Sequence, residues 1–96
     1  LYNEAFAAEG VTFAQAGLLM RIFAQPGIRQ AALSRQLLIE KSALNRDLQL
    51  LQRNGWLTDD LRRGLFLTDA GRDLAKRCHK IWKGINQRVR AEVGPE

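Results

Sequence analysis

Residues Gln30 to Gly55, QAALSRQLLIEKSALNRDLQLLQRNG, constrain the fold more than any other stretch of this chain. They read as a short helix, a tight turn and a longer second helix. Leu33 and Leu37 share one face of the first helix, and Ile39 falls in the turn. Leu44, Leu48 and Leu51 recur at i, i+4 and i+7 on the second, which makes one buried stripe. The opposite face of 41–54 carries Lys41, Ser42, Asn45, Arg46, Gln49 and Arg53: donors, a small hydroxyl and amides, with no large apolar group. Such side chains contact base edges and phosphates. The pattern is a helix-turn-helix, and 41–54 is its candidate DNA-reading helix.

The flanking segments complete a mainly α fold with a small β-hairpin. Leu1 to Glu9 reads as the tail of a helix that Gly10 ends, since glycine enters the left-handed conformation at little cost. Nine residues do not hold a helix alone in water, so this one must pack on something. Thr12 with Gln15 forms a capping-box pattern, and Val11 stands before it as a staple. Phe13, Ala16, Leu19, Met20 and Phe23 then predict the buried stripe of a core helix that Pro26-Gly27 ends. After the helix-turn-helix, Trp56-Leu57-Thr58 and Gly64-Leu65-Phe66-Leu67 flank a polar turn and predict a hairpin, a wing spanning 56–67. Thr68 caps a long last helix running to about Glu92. Leu74, Cys78, Ile81, Ile85 and Val89 form its narrow apolar stripe, amid Arg72, Lys76, Arg77, Lys80, Lys83, Arg88 and Arg90.

Charge and size narrow the function classes. Fifteen Lys and Arg against ten Asp and Glu give +5, a balance that suits an anionic partner, nucleic acid before membrane. Ninety-six residues make a single domain. One cysteine, Cys78, allows no internal disulfide and fits a reducing compartment. No apolar run approaches the roughly 20 residues of a membrane span, and no signal peptide is visible, so a cytoplasmic protein is expected. No nucleophile–base pairing, metal-ligand cluster or glycine-rich phosphate loop points to an enzyme, a metal or a cofactor. His79 has no metal-ligand companions and reads as a surface residue; Cys78 reads as a buried, unreactive thiol.

In order and spacing, several motifs resemble the MarR family of bacterial transcriptional regulators, which are winged helix-turn-helix proteins. The carrying residues are Gln30-x-x-Leu33-Ser34-x-x-Leu37-x-Ile39-x-Lys41-Ser42-x-Leu44-x-Arg46-x-Leu48-x-x-Leu51, then Gly55-Trp56-Leu57, then Leu67-Thr68-x-x-Gly71. The match covers Thr12 to Lys76. The resemblance implies a homodimer on a pseudo-palindromic operator, with recognition helices in successive major grooves and wings toward the flanking minor groove. It also implies a pocket for a small phenolic or aromatic effector that releases the DNA. This chain departs from the family in lacking an earlier-starting first helix and a final helix. Its start at Leu1 rather than Met is what a piece of a longer protein would show. Its wing is short, only Asp59-Asp60-Leu61-Arg62-Arg63, and Arg29 and Glu40 stand where better capping residues are usual.

The expected layout is a single winged-helix domain over 1–96. Segments 1–10 and 74–93 are dimerisation helices, and 12–72 is a DNA-binding lobe with recognition helix 41–54 and wing 56–67. Arg46 and Gln49 are the foremost readers. Arg46 can pair with a guanine edge or a phosphate, and Ser42 and Asn45 can meet phosphate or base edges. Lys41 and Arg53 suit phosphates, and Arg62 and Arg63 reach from the wing. Asp47 brings a negative charge close to this face. Leu74, Ile81, Ile85 and Val89 are assigned to a dimer interface, because so small a domain offers little to cover them and symmetric dimers are the commonest assemblies. Tyr2, Phe6, Phe13, Phe23 and Trp82 supply aromatic surface for core or pocket. The competing reading is a winged-helix protein-interaction module without sequence-specific DNA binding, since fold alone does not fix function.

Overall fold

The computed structural model describes residues 2–58 and 60–93, leaving aside the side chains of residues 2, 3 and 89–93. Five helices follow in order: α1 (Tyr2–Ala7), α2 (Phe13–Ala24), α3 (Gln30–Leu37), α4 (Lys41–Arg53) and α5 (Asp69–Val93). The mainly α winged-helix class expected from the sequence is the class observed.

Local chemistry sets most of the boundaries. Gly10, at φ +80°, ends the turn after α1. The Thr12 hydroxyl accepts from the Gln15 amide at 3.1 Å while the Gln15 side chain accepts from the Thr12 amide at 3.0 Å, the reciprocal capping box. Gly55, at φ +81°, follows α4. The Thr68 hydroxyl accepts from the Gly71 amide and donates to the Gly55 carbonyl, so it caps α5 and ties it to the end of α4. Arg29 and Glu40, the residues preceding α3 and α4, make no side-chain cap.

The turn between α3 and α4 is held by the Ser34 hydroxyl, which donates to the Ile39 carbonyl. Its cost falls on Leu38, which adopts the left-handed conformation at φ 56° and is 90 % exposed. A side chain there clashes with its own backbone and recovers nothing by burial. Leu38→Gly is therefore expected to stabilise the fold by about 0.5–1 kcal/mol, the relief of left-handed strain less glycine's larger unfolded-state entropy. Chemical denaturation reads this directly, and a loss of stability would contradict the account.

The core gathers where α5 crosses α2 and α1. Leu33, Leu44, Leu48 and Leu51 join it from the helix-turn-helix, fully buried as their spacing predicts. Three expectations need correction. The buried residues of α2 are Ala16, Leu18, Leu19 and Ile22, whereas Phe13 and Phe23 are exposed and Met20 is half-buried. The core face of α2 is thus turned by about one residue step, roughly 100°, from the aromatic-rich stripe. The helix is apolar on two sides, and α5 covers only one.

The second correction concerns Leu74 and Ile85, assigned above to a partner subunit. Both are buried within this chain, and Ile81 packs half-buried against the core. Helices α1 and α2 supply cover that the sequence did not reveal. The Val89 side chain lies outside the described residues.

The wing is also built differently from a two-stranded hairpin. Leu57 pairs with Leu67, and Leu65 pairs with Ile28, from the segment preceding α3. The Gly27 amide donates to the Leu65 carbonyl at 2.8 Å, and the Leu65 amide to the Ile28 carbonyl at 2.9 Å. A short 3₁₀ turn, Leu61–Arg63, forms the tip. A Cβ on Gly64 would lie 2.5 Å from the Gly27 carbonyl oxygen, so the wing base needs glycine there.

Candidate nucleic-acid interface and adjoining cavity

Helix α4 turns Leu44, Leu48 and Leu51 inward, which fixes what its other side presents. Lys41, Ser42, Arg46, Gln49 and Arg53 are exposed and Asn45 is half-buried, all on the outward side. The Lys41, Arg46 and Arg53 charges make no ion pair among the described residues, so this face is an uncompensated cationic strip. One end of it is ordered by a side-chain relay. The Gln49 amide donates to Asn45 Oδ1 at 2.8 Å, and the Asn45 amide donates to Gln30 Oε1 at 3.4 Å. Gln30, at the start of α3, opens the motif that carries the family resemblance but is not among the expected DNA-contacting residues; its link to Asn45 is a contact between α3 and α4 that no local pattern signals.

The wing is anchored from an unexpected direction. Arg29 Nη1 donates to the Arg62 carbonyl at 2.8 Å, and Asp60 accepts from the Arg62 amide at 3.1 Å. Arg63 pairs with Asp60 at 3.5 Å. The Arg62 side chain is exposed and Arg63 is partly engaged. Asp59 lies outside the described residues. Arg29, a poor helix cap, serves instead as the tie between the helix-turn-helix and the wing tip.

Asp47 does not share the cationic strip. It lies one helical step behind Arg46, beside the buried leucines, and lines a cavity of 670 Å³ between α2, α5 and the helix-turn-helix. Phe13, Met20, Leu37, Ile39 and Trp82 make most of its wall apolar. Of the aromatic residues considered for a pocket, Phe13 and Trp82 line this one, Phe23 lines a smaller cavity of 360 Å³, and Phe6 is core. The Tyr2 side chain lies outside the described residues. His79 is exposed and stacks on Trp82, ring centroids 6.0 Å apart.

Among the described residues no group of His, Cys, Asp and Glu side chains is placed to hold a metal ion, and no helix is long and apolar enough to cross a membrane. Burial pushes the Cys78 thiol up from its ordinary range, Glu9 adding to the shift and Arg77 opposing it, so little thiolate exists near neutral pH.

Against this geometry, comparison with known proteins is direct. The MarR family model matches residues 9–63, more than half of the chain, across α2, α3, α4 and the wing tip. The chain belongs to the MarR family. Solved structures similar to it include MarR-family proteins. A Mycobacterium tuberculosis MarR family protein, Rv2887, is 27 % identical with a TM-score of 0.84, over 95 % of this chain and 69 % of that one. Rv2887 has also been solved in complex with DNA and with salicylic acid. The MarR repressor of Listeria monocytogenes is 26 % identical with a TM-score of 0.77, over 99 % of this chain and 69 % of that one. Staphylococcus aureus MepR, solved with DNA, shares the fold at 21 % identity and a TM-score of 0.82, over 92 % and 68 % of the two chains. Curated proteins yielded no match. This MarR-family chain thus has the winged helix-turn-helix of a family of DNA-binding transcriptional regulators.

Proposed function

We propose that this MarR-family chain is a sequence-specific DNA-binding transcriptional regulator that works as a homodimer on a pseudo-palindromic operator. The observation that carries this reading is the unpaired cationic strip of α4, with its amides pre-ordered by Gln30. At about 1.5 Å per residue its 13 residues span about 20 Å, enough to lie along a major groove about 12 Å wide. Arg46 and Gln49 read bases, Ser42 and Asn45 meet bases or phosphates, and Lys41 and Arg53 hold phosphates. Arg62, and Arg63 less freely, extend the contact from the wing. The DNA complex of Rv2887, a relative at 27 % identity, supports DNA as the partner.

Arg46→Ala is expected to weaken operator binding by about 1–3 kcal/mol and to relax selectivity at one base pair, if Arg46 is bidentate to guanine. A uniform loss across sequences would make it a phosphate contact instead. Unchanged affinity would remove it from the interface.

For the dimer, α1 and the far end of α5 are the proposed contact region, with Leu74 and Ile85 acting as the packing beneath it. For control, the 670 Å³ cavity is the proposed effector site, sized for an aromatic molecule and walled partly by the helix-turn-helix. The salicylic acid complex of Rv2887 supports a small aromatic molecule as the class of ligand.

The decisive experiment selects binding sites from a random duplex pool with the purified protein. Enrichment of an inverted repeat with half-sites about one helical turn, about 34–36 Å, apart is the expected result. Retention without enrichment would mean that the charge only makes the surface sticky, and the protein-interaction reading would replace this one.

A further inference from the structure

We infer that the cavity beside α4 is built for an aromatic cation, with the Asp47 carboxylate as its counter-charge, so that the DNA-reading helix itself holds the effector. The inference rests on reading the cavity as an effector site and adds the charge of the ligand and the means by which the protein senses it.

Three charged or titratable side chains line the cavity: Arg21 from α2, Asp47 from α4 and His79 from α5. They are not equivalent. Arg21 is exposed, and water already solvates its guanidinium. His79 is stacked on Trp82. Asp47 is half-buried and its carboxylate makes no hydrogen bond or ion pair among the described residues. A carboxylate that has lost part of its hydration and found no partner gains most from an incoming cation. The apolar wall favours the same ligand. Trp82 is 41 % exposed, and indole is the aromatic surface that attracts a cation best. Phe13, 52 % exposed, gives a second flat apolar surface.

The placement of Asp47 also explains a residue that fits DNA reading badly. A carboxylate on a recognition helix repels phosphate, yet this one is turned off the cationic strip and into the cavity. An occupant paired with it touches α4 through Asp47, the end of α3 and the turn after it through Leu37 and Ile39, and α5 through Trp82. It therefore fixes the reading helix against α5. Any difference in that spacing between free and DNA-bound protein becomes a coupling between ligand and DNA, equal in both directions.

The test uses the whole chain without DNA, so its outcome is independent of whether α4 reads a sequence. Three matched probes, 1-naphthylmethylammonium, 1-naphthylmethanol and 1-naphthoate, are titrated calorimetrically into the parent protein, Asp47→Asn and Arg21→Gln. The ammonium is expected to bind about 10-fold tighter than the other two, as one charge-assisted contact provides. Asp47→Asn should bring its affinity down to that of the neutral alcohol, and Arg21→Gln should leave the preference in place. Bound ammonium should slow amide exchange across 41–53 in the parent protein and not in Asp47→Asn. Tightest binding of naphthoate, an ammonium preference that survives Asp47→Asn, or no binding of any probe would overturn the ligand class. Ammonium binding through Asp47 with unchanged exchange in α4 would overturn the sensing role.

Discussion

Gly71→Ala is expected to destabilise the fold by about 3 kcal/mol or more, at or beyond the upper end of ordinary overpacking. A Cβ at Gly71 would come within 2.9 Å of the Trp56 carbonyl carbon and closer still to its oxygen. Neither side can yield cheaply. The Trp56 carbonyl also accepts from the Thr68 amide at 3.0 Å, and the Trp56 amide donates to the Leu51 carbonyl. The added methyl therefore meets backbone at the point where the end of α4, the base of the wing and the start of α5 are locked together. In a domain of this size each 1 kcal/mol moves the melting midpoint by about 4–8 °C, so a fall of more than about 12 °C is expected. Gly84, in the same helix with open space around its Cα, is the control. Gly84→Ala should raise stability by about 0.5–1 kcal/mol, because only the helix-interior penalty of glycine is removed. If both variants melted alike, the close approach at Trp56 would have no energetic weight.

DNA affinity of the proposed dimer should fall about 10³–10⁵-fold between 50 and 200 mM salt. Each protomer offers Lys41, Arg46, Arg53, Arg62 and Arg63, of which Arg63 is partly committed to Asp60. Three to five phosphate contacts per protomer give about 6–10 for two, and each neutralised phosphate adds about 0.9 to the slope of log affinity against log salt. A monomer using the same residues would lose only about 40–500-fold over that range. The salt slope therefore counts protomers on the DNA as well as contacts. A near-zero slope would remove the cationic strip from the interface altogether.

Much of this architecture is legible because its causes are local. The capping box of Thr12 and Gln15, the glycines after α1 and α4, and the leucine stripe of α4 are each specified within a few residues and appear as read. What the sequence hides is produced by tertiary contact. Ile28 is one of only two residues between Pro26-Gly27 and α3, too short a stretch to signal a strand, and only the wing folding back reveals its pairing with Leu65. The core face of α2 is decided by α5, because both of its apolar sides satisfy helical periodicity. Asp47 sits at the edge between the outward and buried sides of α4, and periodicity cannot say which way an edge residue turns. Leu67-Thr68-x-x-Gly71 lies between these cases. It is recognisable as a motif, and its reason, a helix start pressed onto a carbonyl, is visible only in three dimensions.

The single thiol offers a use of a different kind. Cys78 is wholly enclosed on α5 and stays protonated near neutral pH, so an alkylating reagent can reach it only when the packing of α5 comes apart. The chain therefore carries its own clock. Its labelling rate, followed by mass spectrometry, measures how often the helix that backs the reading lobe lets go, with no reporter group added. Timing that release with the cavity empty and filled would say whether an effector tightens or loosens the joint on which DNA recognition hangs.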